Sequence, residues 1–78
     1  MSARIQHIDA RYSKTYGTYD RAVKEAEGVW KKFDLTDSFV FICAAGDNHD
    51  RFAPLFKLGP KDQWKMDGLW RNGYNITA

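Results

Sequence analysis

A lone thiol and two imidazoles are the groups in this chain best suited to covalent chemistry, since Cys43 with His7 or His49 would supply a nucleophile and its base. Cys43, however, lies inside the apolar run from Phe39 to Ala45, where a single cysteine serves as a small buried hydrophobe. A second candidate is Asp47-Asn48-His49-Asp50, which carries carboxylate and imidazole donors. A hard-cation loop needs oxygen ligands at alternate positions around a mid-loop glycine, and here the residues after Asp50 turn apolar, so the stretch reads as a hairpin turn. No glycine-rich phosphate loop follows a strand, no Gly-x-Ser-x-Gly elbow occurs, and no carboxylate pair stands out. The chain is therefore expected to be no enzyme and to carry no cofactor or metal.

What remains is the chemistry of recognition. Aromatic side chains make up 15% of the chain, more than a thin helix-on-sheet core is expected to hide. Large rigid rings and arginine dominate protein-binding hot spots, which makes Trp64, Trp70, Tyr74, Phe52 and Phe56 the expected anchors, with Lys57, Lys65 and Arg71 beside them. The alternative is a small nucleic-acid-binding domain using Trp64 with Lys57, Lys65 and Arg71, because bases stack on rings while lysine and arginine neutralise phosphates. Arg51-Phe52-Ala53-Pro54-Leu55-Phe56 lacks the glycines of an RNA-recognition motif, and the first strand offers His7 where that motif needs a ring to stack on. Lys31 with Lys32, and Lys57, Lys61, Lys65 and Arg71, form local basic concentrations whose ordinary role is a solvated face.

Length and composition set the frame for these residues. The 78 residues allow a single domain, 1–78, because two cores would each be too small to bury enough apolar area. With 12 basic and 10 acidic side chains the net charge is +2, so no one-sign field marks the molecule as a nucleic-acid mimic. One cysteine cannot form an internal disulfide, no stretch has signal-peptide character, and the longest apolar run is too short to span a bilayer. A soluble, cytoplasmic protein without membrane association is expected, and the Asn75-Ile76-Thr77 sequon is set aside on that ground.

The elements that position the candidate residues follow from periodicity. Ile5 and Ile8 suggest a short first strand over residues 3–10. Thr18 is a good N-cap for a helix over 19–33, in which Ala22, Val23, Ala26, Val29, Trp30 and Phe33 recur at helical spacing. Asp20 in its first turn and Lys31 and Lys32 in its last complement the helix dipole. Residues 38–45 and 51–58 read as two strands joined by the polar turn, a second helix spans 60–72 with Gly73 just past its end, and 74–78 forms a last strand. On the second helix Met66, Leu69 and Trp70 are expected to form the buried edge while Trp64 points away.

The order βαββαβ implies an α+β, two-layer sandwich, either ferredoxin-like or a variant with the third strand at an edge. Pro54 is the reason for that second option. A central strand needs amide donors on both edges and proline has none, so either a bulge accommodates it or the strand lies at the edge. The phenylalanines also leave two arrangements open. If the aliphatic set Val40, Ile42 and Ala44 faces the helices, Phe39, Phe41, Phe52 and Phe56 stand together on the open sheet face and call for a partner, most simply a second copy; otherwise they build the core.

Thr15-Tyr16-Gly17-Thr18-Tyr19 before an alanine-rich helix, a strand ending in a polar turn, Arg51-Phe52-Ala53-Pro54-Leu55-Phe56 after it, and Leu69-Trp70-Arg71-Asn72-Gly73-Tyr74 near the end together resemble the short accessory proteins of bacteriophages. That resemblance implies an inhibitor that binds a host protein in the host cytoplasm and blocks it, as anti-CRISPR and other counter-defence proteins do. It implies no site residue.

Overall fold

The computed structural model describes residues 7–8, 11, 14–35, 39–59 and 64–77. Helix α1 (Tyr19–Lys32) is followed by strands β1 (Phe39–Ala45) and β2 (Arg51–Lys57), helix α2 (Met66–Arg71) and strand β3 (Asn75–Thr77). The strands form one mixed sheet in the order β1-β2-β3, with β1 and β2 antiparallel and β2 and β3 parallel. The small α+β architecture expected from the sequence is therefore present. Of the first strand expected over 3–10, only His7 and Ile8 fall within the described residues, and Ile8 makes an isolated parallel bridge to Ala45.

Helix α1 forms where its sequence signals place it. The Thr18 hydroxyl accepts from the Arg21 amide at 3.2 Å, Asp20 occupies the first turn, and Lys31 and Lys32 the last. Its stripe buries Ala22, Ala26 and Val29, small residues that let the helix lie close to the sheet. Trp30, expected within that stripe, is instead 43% exposed, because the stripe's centre runs through Ala22, Ala26 and Val29 and Trp30 falls on its flank. Of the second helix expected over 60–72, residues 60–63 lie outside the described residues. Among the described residues it comprises Met66–Arg71 after a single 3₁₀ turn at Trp64 and Lys65, and no side chain caps its start. Gly73, at φ +85°, takes the left-handed conformation that ends it.

The sheet corrects two expectations. The strand bearing Pro54 is central, not at an edge, and its pairing with β1 runs from Phe39↔Lys57 to Ala45↔Arg51 without a bulge. Hydrogen bonding accounts for the proline. Phe52 both donates to and accepts from Tyr16, at 2.9 and 2.7 Å, so its polar groups face away from β1. Backbone groups alternate edges along a strand, so Pro54 directs its donor-less nitrogen to that same outer edge. There it lies between the Tyr16 bridge and the start of the β3 ladder at Leu55, where no donor is needed.

The phenylalanines follow neither expected arrangement, because the register pairs even residues with even: Val40↔Phe56, Ile42↔Pro54, Ala44↔Phe52. The five turn residues between Ala45 and Arg51 fix that parity. Phe52 and Phe56 thus share the helix-facing side with the aliphatic residues, while Phe41 stands opposite Leu55 on the other side. Phe56 and Ile42 join Ala22, Ala26 and Val29 of α1, Leu69 of α2, and Leu35, Leu58 and Tyr74 in one core. The shared cluster places both helices against the same sheet face. The Phe56 and Tyr74 rings meet edge to face at 5.7 Å, as do Tyr19 and Phe52 at 6.0 Å. On the other side the small residues Cys43 and Ala53, directly paired, are fully buried.

Candidate protein-binding surface

The residues expected to bind a partner divide into two groups. Phe56 and Tyr74 are core residues, Phe52 is half-buried against that core, and Lys65 is 7% exposed; these four are corrected from surface anchors to structural positions. Sequence periodicity could not separate them, because their burial follows from the hairpin register, the turn at Gly73 and, for Lys65, the contact with the Asp34 carbonyl, all set by tertiary structure. Trp64 and Trp70, by contrast, are 77% and 55% exposed, and Lys57 and Arg71 are exposed too. Trp70 was expected on the buried edge of the second helix. Leu69 takes that place, fully buried, and turns its neighbour outward.

Lys65 and Gly68 fasten α2 to the end of α1. The Lys65 ammonium donates to the main-chain carbonyl of Asp34, and its Nζ also stands 4.9 Å from the centre of the Trp64 ring. Such a contact shields part of one ring face and holds the indole in place while leaving its rim in solvent. At Gly68 a Cβ would lie 3.2 Å from the Phe33 ring, so the absent side chain lets the helix approach α1 closely. The Asn72 side chain closes the far end by donating to the Gly68 carbonyl at 2.8 Å. Arg71 pairs with Asp67 at 3.1 Å across one exposed turn, a contact that orders the surface and adds little stability.

Two open grooves flank this short helix. One, of about 320 Å³, is lined by Lys32, Phe33 and Asp34 from the end of α1 and by Trp64, Lys65 and Gly68. The other, of about 420 Å³, lies between α2 and β3 and is lined by Met66, Asp67, Trp70 and Ile76. Each groove thus has one exposed tryptophan on its wall. Sequence reasoning missed Phe33 and Ile76 as groove walls and Trp30 as a third exposed ring. The groove brings Lys32 and Phe33 together with Trp64 and Lys65, a juxtaposition of distant segments for which the sequence carries no signal.

Cys43 is fully buried, whereas His7 and His49 are exposed. Burial, and then a hydrogen bond with the Tyr74 side chain, push the Tyr16 phenol above its ordinary range. Among the described residues no three or more His, Cys, Asp or Glu side chains gather where they could hold a metal ion, and no helix is long and apolar enough to cross a membrane. Compared with protein families, curated proteins and solved structures, the chain matches none.

Proposed function

We propose that the protein works by binding another protein through the α2 surface, with Trp64 and Trp70 as anchors, and that it inhibits that partner by occupying it and not by chemistry. The observation that carries this reading is the exposure of all three tryptophans in a chain small enough to need every large apolar side chain in its core. Tryptophan contributes more than other residue types to binding hot spots, and here Trp64 and Trp70 each stand beside a groove that a partner side chain can fill. The resemblance to phage accessory proteins supports a host protein as the partner, met in the host cytoplasm, with a second copy of this chain as another protein occupant. A βαββαβ order of elements, with residues 3–10 as its first strand, is part of the same proposal.

Capture from host lysate on the immobilised protein, run in parallel with a Trp64→Ala/Trp70→Ala double variant, tests the reading. One host protein retained in fixed stoichiometry by the wild type and lost with the variant is the expected result. Equal capture by both, or recovery of nucleic acid alone, overturns it. The nucleic-acid alternative draws on Lys65 and Lys32 beside the Trp64 ring, and a salt titration separates the two: phosphate contacts weaken steeply with salt, while an aromatic protein interface changes little.

A further inference from the structure

At the tip of the β1–β2 hairpin the imidazoles of His7 and His49 meet, with ring centres 4.2 Å apart and planes inclined by 41°. Two independent features bring them together. The Ile8 amide donates to the Ala44 carbonyl at 3.0 Å, which seats Ile8 along the outer edge of β1 and sets His7 beside the turn. On the other side, His49 adopts φ +55°, a left-handed conformation that few side chains other than glycine, asparagine, aspartate and histidine enter. A five-residue turn has cheaper choices at such a position, so a histidine there, facing another histidine distant in sequence, calls for an explanation beyond turn geometry.

We propose that His7 and His49 together bind a borderline divalent transition-metal ion of the zinc, nickel or copper class, and that the ion fastens the N-terminal segment to the hairpin tip. Imidazole nitrogen is the ligand these metals favour, and both rings are exposed, so an ion can enter and water can fill the remaining positions. With metal–nitrogen distances of about 2.0–2.1 Å, two imidazoles on one ion stand roughly 5 Å apart centre to centre, a small opening of the observed pair. The surrounding charge suits a cation. Asp47 and Asp50 are exposed in the same turn, and the neighbouring Arg51 guanidinium is drawn away to Thr15, donating from Nε to Oγ1 at 3.1 Å and from a terminal nitrogen to the main-chain oxygen at 3.0 Å. Two imidazoles are fewer than a structural zinc site uses, so the site is open and its affinity modest.

Titrating Ni²⁺ into the full chain, prepared without a histidine tag and followed by NMR of the imidazole rings, tests the assignment. The signals of His7 and His49 are expected to broaden together, at the same sub-stoichiometric addition and ahead of all other residues, while Mg²⁺ leaves them unchanged. His49→Asn keeps a side chain that tolerates the left-handed turn, and His7→Ala removes the other ligand. Each is expected to weaken binding at the remaining ring on the order of tenfold or more, since the second ligand acts at high effective concentration. Zn²⁺ is likewise expected to raise the melting temperature of the wild type and of neither variant. Two rings that respond at different additions, or a His49→Asn protein whose His7 binds Ni²⁺ as well as before, would overturn the proposal.

Discussion

Helix α1 arrives at the sheet with its ends finished: a threonine cap, an acidic first turn, a basic last turn, and three small residues buried along one stripe. Helix α2 is less than half as long, begins without a side-chain cap, and has Leu69 as its buried residue. The contrast shows two ways of holding a helix. The first is specified locally, so its position tolerates change at its surface. The second is held by what surrounds it: Leu69 in the core, Gly68 against Phe33, the Lys65 ammonium on the Asp34 carbonyl, and Asn72 folded back on its last turn. A helix placed in this way keeps little of its surface for the core, which is why Trp70, and Trp64 in the turn before it, face solvent.

The largest effect expected from this contrast is at Leu69. Leu69→Ala should cost about 2–5 kcal/mol in urea unfolding, and hydrogen exchange should show amides of residues 64–72 losing protection while those of α1 keep theirs. Equal loss in both helices would break the distinction. Next in size, Trp64→Ala and Trp70→Ala should each weaken partner binding by about 2 kcal/mol while changing unfolding free energy by only about 0.5 kcal/mol, measured by calorimetry and urea titration respectively.

Thr18→Ala should lower stability by about 1 kcal/mol, because it removes the acceptor of the Arg21 amide, and circular dichroism should report the loss in α1. The same glycine-to-alanine change should then act differently in the two helices. At Gly28 a new Cβ meets nothing within 4 Å, and Gly28→Ala should stabilise by about 0.4–1 kcal/mol. At Gly68 it meets the Phe33 ring, and the gain should vanish or reverse in the same melting experiment.

The last expectation is confined to alkaline solution. The fold favours the neutral Tyr16 phenol, so above the ordinary phenol range near pH ~10 the unfolded chain releases its proton while the folded one keeps it. The stabilisation is therefore fully present below that range and is lost progressively as pH rises above it toward the raised value of the folded phenol. Tyr16→Phe should remove this component of the alkaline decline, as followed by denaturant midpoints against pH.

How much of this was legible in the sequence follows the same contrast. The span, cap and charge ordering of α1 were readable because each depends on residues within a few positions of one another. The two hairpin strands were readable from their apolar runs and the polar turn between them. Which face the phenylalanines take was not, because a polar stretch with no diagnostic dipeptide leaves open how many residues the turn takes, and that number decides the pairing parity. Of the proposed anchors, Trp64 was placed correctly as exposed. Trp70 was misplaced, since a helical wheel drawn over 60–72 cannot tell which of two adjacent apolar residues the core accepts. The burial of Phe56, Tyr74 and Lys65 depends on contacts between distant segments that periodicity does not encode.

Pro54 has one more consequence. A strand whose outer edge serves two different neighbours, one antiparallel and one parallel, invites either of them to creep along it and take the other's seat. An imino acid set at the seam offers no proton to the creeping backbone, so each neighbour stays in a single alignment. Replacing it by valine would restore the missing donor and, with it, the freedom to misalign: the C-terminal strand should then populate more than one slow-exchanging position, visible as doubled amide resonances from Leu55 to Thr77.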